Sequence, residues 1–241
     1  KPLKKKLFLH LFRLFGFPKK IHFHATDKTE YENIQLKLKT KQISLVENIP
    51  IQTRHSFVSN KKLENELTLV FVSRISKKKN LHFLLKILKT RSFHGDIKLD
   101  IYGPKENDYW NVCRQHLDDL PENIKIAYKG VLEHRDVLPN IRKYHFFVLP
   151  TLGENFGHAI FESFVSGRPV IISDQTPWRN LLKGKIGWDL SLKNEEIWAD
   201  TINRALSMGQ HEFNDWCKSA YSFASRYQKK NTLAQYKNLF S

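Results

Sequence analysis

The residues best suited to chemistry fall in two short stretches. Arg74, Lys77, Lys78 and Lys79 lie together in SRISKKKN, and Glu154 and Glu162 stand eight apart in PTLGENFGHAIFE. Carboxylates only accept hydrogen bonds and so suit the hydroxyls of a sugar or ribose, whereas clustered cations suit phosphate. Gly153 and Gly157 let the backbone come close to a ligand. A helix opening near Gly157 would also offer free N–H groups to an anion. On that helix Ile160, Phe161, Phe164 and Val165 form the core stripe, while His158 and Glu162 share another face at i, i+4. Glu154 and Glu162 are thereby expected to face one cleft. The competing reading is a first-turn acid, a surface Glu and a solvated run of lysines. Against it stands position: the lysines directly precede a helix, where anions rather than cations are favoured. His158 either touches a phosphate or ends the loop.

Such residues need elements to bring them together. LTLVFV over 67–72 is a nearly continuous apolar run, the mark of a strand buried on both faces. Leu81, Leu84, Leu85 and Leu88 then fall on one helical stripe. Further strands are predicted at 97–102, 124–128, 146–149 and 170–172, with a helix over about 107–118 and a helical pattern over 194–240. This alternation predicts an α/β fold with a Rossmann-like, doubly wound parallel sheet. Ligands of such sheets bind outside the carboxyl ends of the strands. That rule selects the loops 73–79, 103–108 (which begins at Gly103), 129–132, 150–158 and 173–179. Upstream, 21–25 and 42–46 read as short strands around a helix capped by Thr26 or Asp27 and running to about Lys39. The polar residues 50–65, with Pro50 and the pair Lys61-Lys62, read as a linker.

The 241 residues are 41% hydrophobic and 12% aromatic, which excludes a disordered chain and corresponds to about one and a half domains. Forty Lys and Arg against 24 Asp and Glu leave a net charge of +16, so the partner is expected to be anionic: phosphate, nucleotide, nucleic acid or acidic lipid. Cys113 and Cys217 exclude a disulfide framework or a Cys-rich metal site and read as free thiols in a reducing compartment. No run reaches the ~18 apolar residues of a transmembrane helix. The first 20 residues hold seven basic side chains and no acidic one. Their Lys4-Lys5-Lys6 and apolar run imitate a signal peptide, but His10 and Arg13 interrupt it and no small-residue cleavage site follows. Apolar residues nearly encircle this helix, as suits packing on something large. With its lysines it could instead bind acidic lipid. As the chain also lacks an initial Met, it is read as the interior of a longer protein.

Glu154-x7-Glu162, within PTLGENFGHAIFESFVSGRPVIISD, resembles the Glu-x7-Glu signature of the retaining glycosyltransferases of family 4, the group 1 family. FVSRISKKKN is similar to that family's phosphate loop, in which an Arg and a Lys five residues apart hold the donor diphosphate. IKIAYKGVLEHRDVLPNIRKYHFFVLP is similar to the stretch in which the residue after Gly lies on the nucleotide base. The resemblance spans roughly residues 20–240. It implies the GT-B fold, whose C-terminal half binds a nucleotide-sugar donor such as a UDP- or GDP-sugar and whose N-terminal half supplies most of the acceptor site.

By the same resemblance, Glu162 would accept the ribose hydroxyls and Glu154 the hydroxyls of the transferred sugar. The N–H groups of Phe156 and Gly157 would complete the sugar and phosphate contacts, Val131 would meet the base through its backbone, and Gly103 and His158 join the donor-binding set. Arg74 and Lys79 would neutralise the departing diphosphate, with no metal and no further cofactor. Retention would follow a same-face displacement in which the leaving phosphate assists the incoming hydroxyl. The chain departs from the family pattern at Lys79-Asn80, where Lys-Gly is usual, and at Asp174–Asn180, where Gly-Gly-x-x-Glu is common. The expected organisation is a remnant of the N-terminal domain with a linker over 1–60, the donor-binding domain over 61–225, and a helix over 226–241 returning toward the N-terminal domain. The acceptor is expected to be a glycan or a lipid-linked sugar. The place is expected to be the cytoplasm, with no nucleic-acid partner; peripheral attachment to the acidic inner face of the cytoplasmic membrane is the lesser alternative to packing of the first 20 residues on another domain. The alternative, from another class, is a basic nucleic-acid-binding module without enzymatic activity, although the cations are spread along the chain and no nucleic-acid motif emerges.

Overall fold

A computed structural model of the protein describes residues 2–26, 28–46 and 57–229. These residues form two units, one from each side of the interval 47–56.

In the first unit α1 (Pro2–Leu14) is followed by a 3-10 turn at Phe17–Lys19, then β1 (Phe23–Ala25), α2 (Lys28–Leu38) and β2 (Ile43–Leu45). β1 and β2 pair in parallel, Phe23 opposite Ile43, giving the expected strand–helix–strand. The helix start is secured from outside: the N–H and hydroxyl of Thr26 both donate to the Glu30 carboxylate, at 2.8 and 2.7 Å. Asp27, the other expected cap, lies outside the described residues. On α1, Leu3, Leu7, Phe8 and Leu14 are all exposed. Phe12 instead stacks between Phe8 and Phe17, with ring centroids 5.7 and 5.3 Å apart.

The second unit holds a sheet of six parallel strands: β3 (Glu66–Val72), β4 (Asp96–Tyr102), β5 (Ile124–Tyr128), β6 (Phe146–Leu149), β7 (Val170–Ser173) and β8 (Gly187–Leu190). Their order is β5-β4-β3-β6-β7-β8. The chain first winds outward from β3 through α3 (Leu81–Thr90) and α4 (Asn107–Arg114), then returns to the centre through α5 (His134–Ile141) and winds the other way through α6 (His158–Val165). Right-handed crossovers in opposite directions put α3 and α4 on one face and α5 and α6 on the other. α7 (Glu195–Leu206) packs with α3, and α8 (Gln210–Gln228) with α6. This is the expected Rossmann-like architecture. Five of the six strands match the predicted runs, and Phe71, Phe146 and Phe147 lie fully buried in its core.

Three features differ from the sequence reading. β8 is an additional edge strand, paired only with β7. α4 ends at Arg114 rather than near 118. The supposed linker, from Phe57 onward, is part of the packed unit. Asn60 Nδ2 donates to the carbonyls of Arg142 and Tyr144, at 2.6 and 3.2 Å. The Lys62 ammonium, 1% exposed, donates to the carbonyls of Leu63, Leu206 and Met208 at 2.8, 3.1 and 3.1 Å. The polar side chains that suggested a linker thus answer carbonyls at the ends of α5 and α7. Burial pushes the Lys62 amine down to about 8, partly offset by the charges of Glu66 and Glu64. Cys113 and Cys217 are free and buried. The helix expected over 226–241 continues α8 to Gln228, and residues 230–241 lie outside the described residues.

Candidate functional site

β3 and β6 are neighbours whose connections leave in opposite directions, so a crevice opens between the loops at their carboxyl ends. The first of these loops is fastened to its neighbour. Ile75 N donates to the Pro104 carbonyl at 2.8 Å and Glu106 N to the Ile75 carbonyl at 3.0 Å. The crossing is so close at Gly103 (φ 136°) that an added Cβ would lie 2.0 Å from the Ser73 carbonyl oxygen, which only glycine allows. Lys77–Lys79 then form a 3-10 turn. Asn80 takes the left-handed conformation, φ 58° and ψ 33°, and caps α3. It therefore does what the more usual glycine would do, since Asn is among the residues that tolerate this region best.

The second loop docks on that turn. Leu152 N donates to the Lys78 carbonyl at 2.8 Å, and the Lys79 ammonium bonds directly to the Glu154 carboxylate. The side chains of this pair are 20% and 10% exposed, so solvent screens it little. The Thr151 hydroxyl lies 3.0 Å from the same carboxylate oxygen, and Glu154 N donates to the Gln175 carbonyl at 3.0 Å. Arg74, on the same loop as Lys79, is mostly exposed, with its guanidinium 3.9 Å from Glu106. So loose and wet an ion pair contributes little, and Arg74 remains available to a ligand.

Gly157 (φ 79°) caps α6, which starts at His158. An added Cβ there would meet the Ile160 side chain at 2.8 Å. Phe156 is buried, and its carbonyl accepts from Trp178 Nε1 at 2.6 Å. The first N–H groups of α6 have no acceptor within the helix and carry the positive end of its dipole. His158 is exposed, its ring 5.0 Å from that of Phe156. Ile160, Phe161, Phe164 and Val165 are buried as expected. Glu162 is buried as well, so it is not an ordinary surface acid. Burial raises its carboxyl above the usual range, and the His134 charge at the start of α5 works against that shift. The two glutamates thus have different neighbours, Glu154 with Lys79 and Glu162 near His134.

The loop after β5 lies beside the one after β4: Gly103 N donates to the Gly130 carbonyl at 2.8 Å, and the Tyr128 hydroxyl to the Gly103 carbonyl at 3.1 Å. Val131, next to Gly130 (φ 88°), is exposed. Sequence reasoning passed over two residues here. The Lys105 ammonium sits 3.5 Å from the centre of the Tyr128 ring and 4.3 Å from that of Trp110. Trp178 braces Phe156. Both lie in loops that the carboxyl-end rule selects, but their partners Tyr128 and Phe156 are 23 and 22 residues away and are not visible from sequence. Among the described residues no group of three His, Cys, Asp or Glu side chains gathers as a metal site.

The sequence model of the glycosyl transferases group 1 matches residues 52–222. An uncharacterized glycosyltransferase of Methanocaldococcus jannaschii is 25% identical over 149 residues, which are 60% of this chain and 37% of that protein. The structure of a Staphylococcus aureus TarM mutant in complex with fondaparinux, alpha-GlcNAc-glycerol and UDP superposes with a TM-score of 0.71 at 16% identity, covering 93% of this chain and 45% of that one. WaaG, a glycosyltransferase involved in lipopolysaccharide biosynthesis, superposes with a TM-score of 0.66 at 12% identity, covering 88% of this chain and 59% of that one. At these identities the structures establish the fold. The chain spans less than two thirds of the length of each of these relatives.

Proposed function

This chain belongs to the group 1 glycosyl transferases, and from that premise we propose that its second unit binds the nucleotide-sugar donor of a sugar transfer. The observation that carries the reading is the Lys79–Glu154 pair, which joins the two loops of the crevice between β3 and β6. A cation for diphosphate and a carboxylate for sugar hydroxyls stand there in contact. Arg74 and Lys79 neutralise the departing diphosphate, the electrostatic role that dominates such transfers. With two cations on one loop the transfer needs no divalent metal. Glu154 exchanges part of its bond to Lys79 for the hydroxyls of the transferred sugar. The N–H groups of Phe156 and Gly157 meet the sugar and phosphate, with His158 beside them, and Glu162 holds the ribose. Val131 lies on the base, in a loop anchored through Gly103. UDP in the TarM complex is in keeping with a uridine or another nucleoside diphosphate as the carrier.

The finer reading is transfer with retention, by same-face displacement, to a glycan or a lipid-linked acceptor. The cytoplasmic face of an acidic membrane is the proposed place, with the lysines and exposed apolar residues of α1 as the contact. The family match favours this donor-site reading over a nucleic-acid-binding module.

Calorimetric titration with UDP, GDP and ADP tests the proposal. At least one is expected to bind in the micromolar to millimolar range. Arg74→Ala, whose side chain is exposed and so leaves the fold intact, should weaken binding about tenfold, as loss of a charge-assisted contact to phosphate does. Absence of binding by all three at millimolar concentration would refute the donor-site reading.

A further inference from the structure

The last residue of β7 and the loop that follows it grip the loop after β6 at three successive points. The Ser173 hydroxyl donates to the Thr151 carbonyl at 2.5 Å. The Gln175 carbonyl accepts from Glu154 N at 3.0 Å. Trp178 Nε1 donates to the Phe156 carbonyl at 2.6 Å. The third grip falls on the peptide unit whose other half is the N–H of Gly157, at the head of α6. We propose that Trp178 is a positioning residue, whose indole N–H holds the Phe156–Gly157 peptide so that the Gly157 N–H faces outward to receive an anionic group of the donor. This rests on the donor-site reading above.

A trans peptide is planar, with its C=O and N–H on opposite sides. A donor that captures the carbonyl from the protein side therefore points the N–H away from the protein. Gly157 has φ 79°, from which its flanking peptides could turn at little cost, so glycine alone does not define the direction. Trp178 can define it because its ring cannot move. It is buried within a cluster formed by Phe156, Phe161, Phe164, Phe223 and Tyr227, with ring centroids 5.2 to 5.9 Å away. Trp178 N in turn donates to the Thr176 hydroxyl at 3.2 Å. A hydrogen bond accepted at the carbonyl also polarises the peptide and strengthens its N–H as a donor. Ring burial alone would make Trp178 a core residue; the bond from Nε1 gives it a second task.

The test separates those two tasks in the full chain. Benzothienylalanine introduced at position 178 by nonsense suppression keeps the indole shape and removes the N–H; Trp178→Phe is the second variant. The probes are the nucleoside diphosphate that wild type binds best and the matching nucleoside, with thermal melts run beside the titrations. The benzothienyl variant should melt like wild type, lose about tenfold in diphosphate affinity and keep its affinity for the nucleoside. Equal weakening of both probes, no weakening of either, or failure of both variants to fold would overturn the positioning role. Wild type that binds no nucleotide would instead refute the donor-site reading, so the two failures are distinguishable.

Discussion

Glu162 is only 7% exposed, and burial holds its carboxyl pKa above the ordinary value, with the His134 charge working against that shift. For an acid whose folded pKa is raised, the folded state keeps the proton to a higher pH than the unfolded chain does. The destabilisation is therefore absent below the unfolded pKa and complete once pH passes the folded one. Glu162→Gln removes the charge and keeps the shape. It should stabilise the ligand-free chain by about 1 kcal/mol at neutral pH, an advantage that fades as pH falls toward ~4, the range of a free Glu. The same change should weaken nucleotide binding about tenfold, since an amide is a poorer acceptor than a carboxylate for ribose hydroxyls. Urea unfolding at pH 4 and 7, with calorimetry at pH 7, measures both effects. A variant less stable at neutral pH would show that the charge is satisfied in the fold. Sequence alone singles out Glu154 and Glu162 as candidates but does not show their environments. The Lys79–Glu154 bond joins residues 75 apart in the chain, and burial of Glu162 depends on where α5 comes to lie.

At the scale of elements, the first candidate loop depends on one residue in an uncommon conformation. Asn80 is left-handed, buried, and both closes the 3-10 turn of Lys77–Lys79 and caps α3. Asn80→Ala should cost about 1 kcal/mol, because alanine bears the full strain of that region. Asn80→Gly should be nearly neutral, as relief of strain offsets the greater freedom of the unfolded chain. Urea denaturation of the two variants checks the difference; equal stability would mean that the turn does not hold Asn80 there. Much of this scale was legible in advance. β5 and β6 occupy the predicted residues, and the rule that ligands sit at carboxyl ends selected the loops that the structure brings together. β8 escaped because Gly187-Trp-Asp-Leu is short, half polar and paired on one side only. The segment from Phe57 has the polar sequence of a linker, yet Lys62 finds its partners in the carbonyls of Leu206 and Met208.

At the scale of the whole molecule, the chain covers 45% of TarM and 59% of WaaG. Its candidate residues all lie on one unit, in loops that would serve a donor: cations for diphosphate, carboxylates for sugar and ribose, and a helix N-terminus for phosphate or sugar oxygens. The resemblance assigns the acceptor to the other half of the GT-B fold, to which the strand–helix–strand of β1, α2 and β2 corresponds. Transfer between two substrates depends on holding both in a reactive geometry, a contribution worth about 7–11 kcal/mol of barrier when complete. A unit that held the donor alone would forfeit most of it. On the donor-site proposal, residues 1–241 expressed by themselves should bind a nucleoside diphosphate while transferring sugar at least about a thousandfold more slowly than a protein of the family that carries both halves. Slow hydrolysis of the nucleotide-sugar, in which water takes the sugar at its anomeric carbon and the nucleoside diphosphate leaves, is the reaction it could still support. Coupled detection of nucleoside diphosphate release, run with and without a glycan acceptor, measures the two processes separately. Release that rises strongly with added acceptor would show that this chain supplies an acceptor site of its own, and would move that site onto the residues described here.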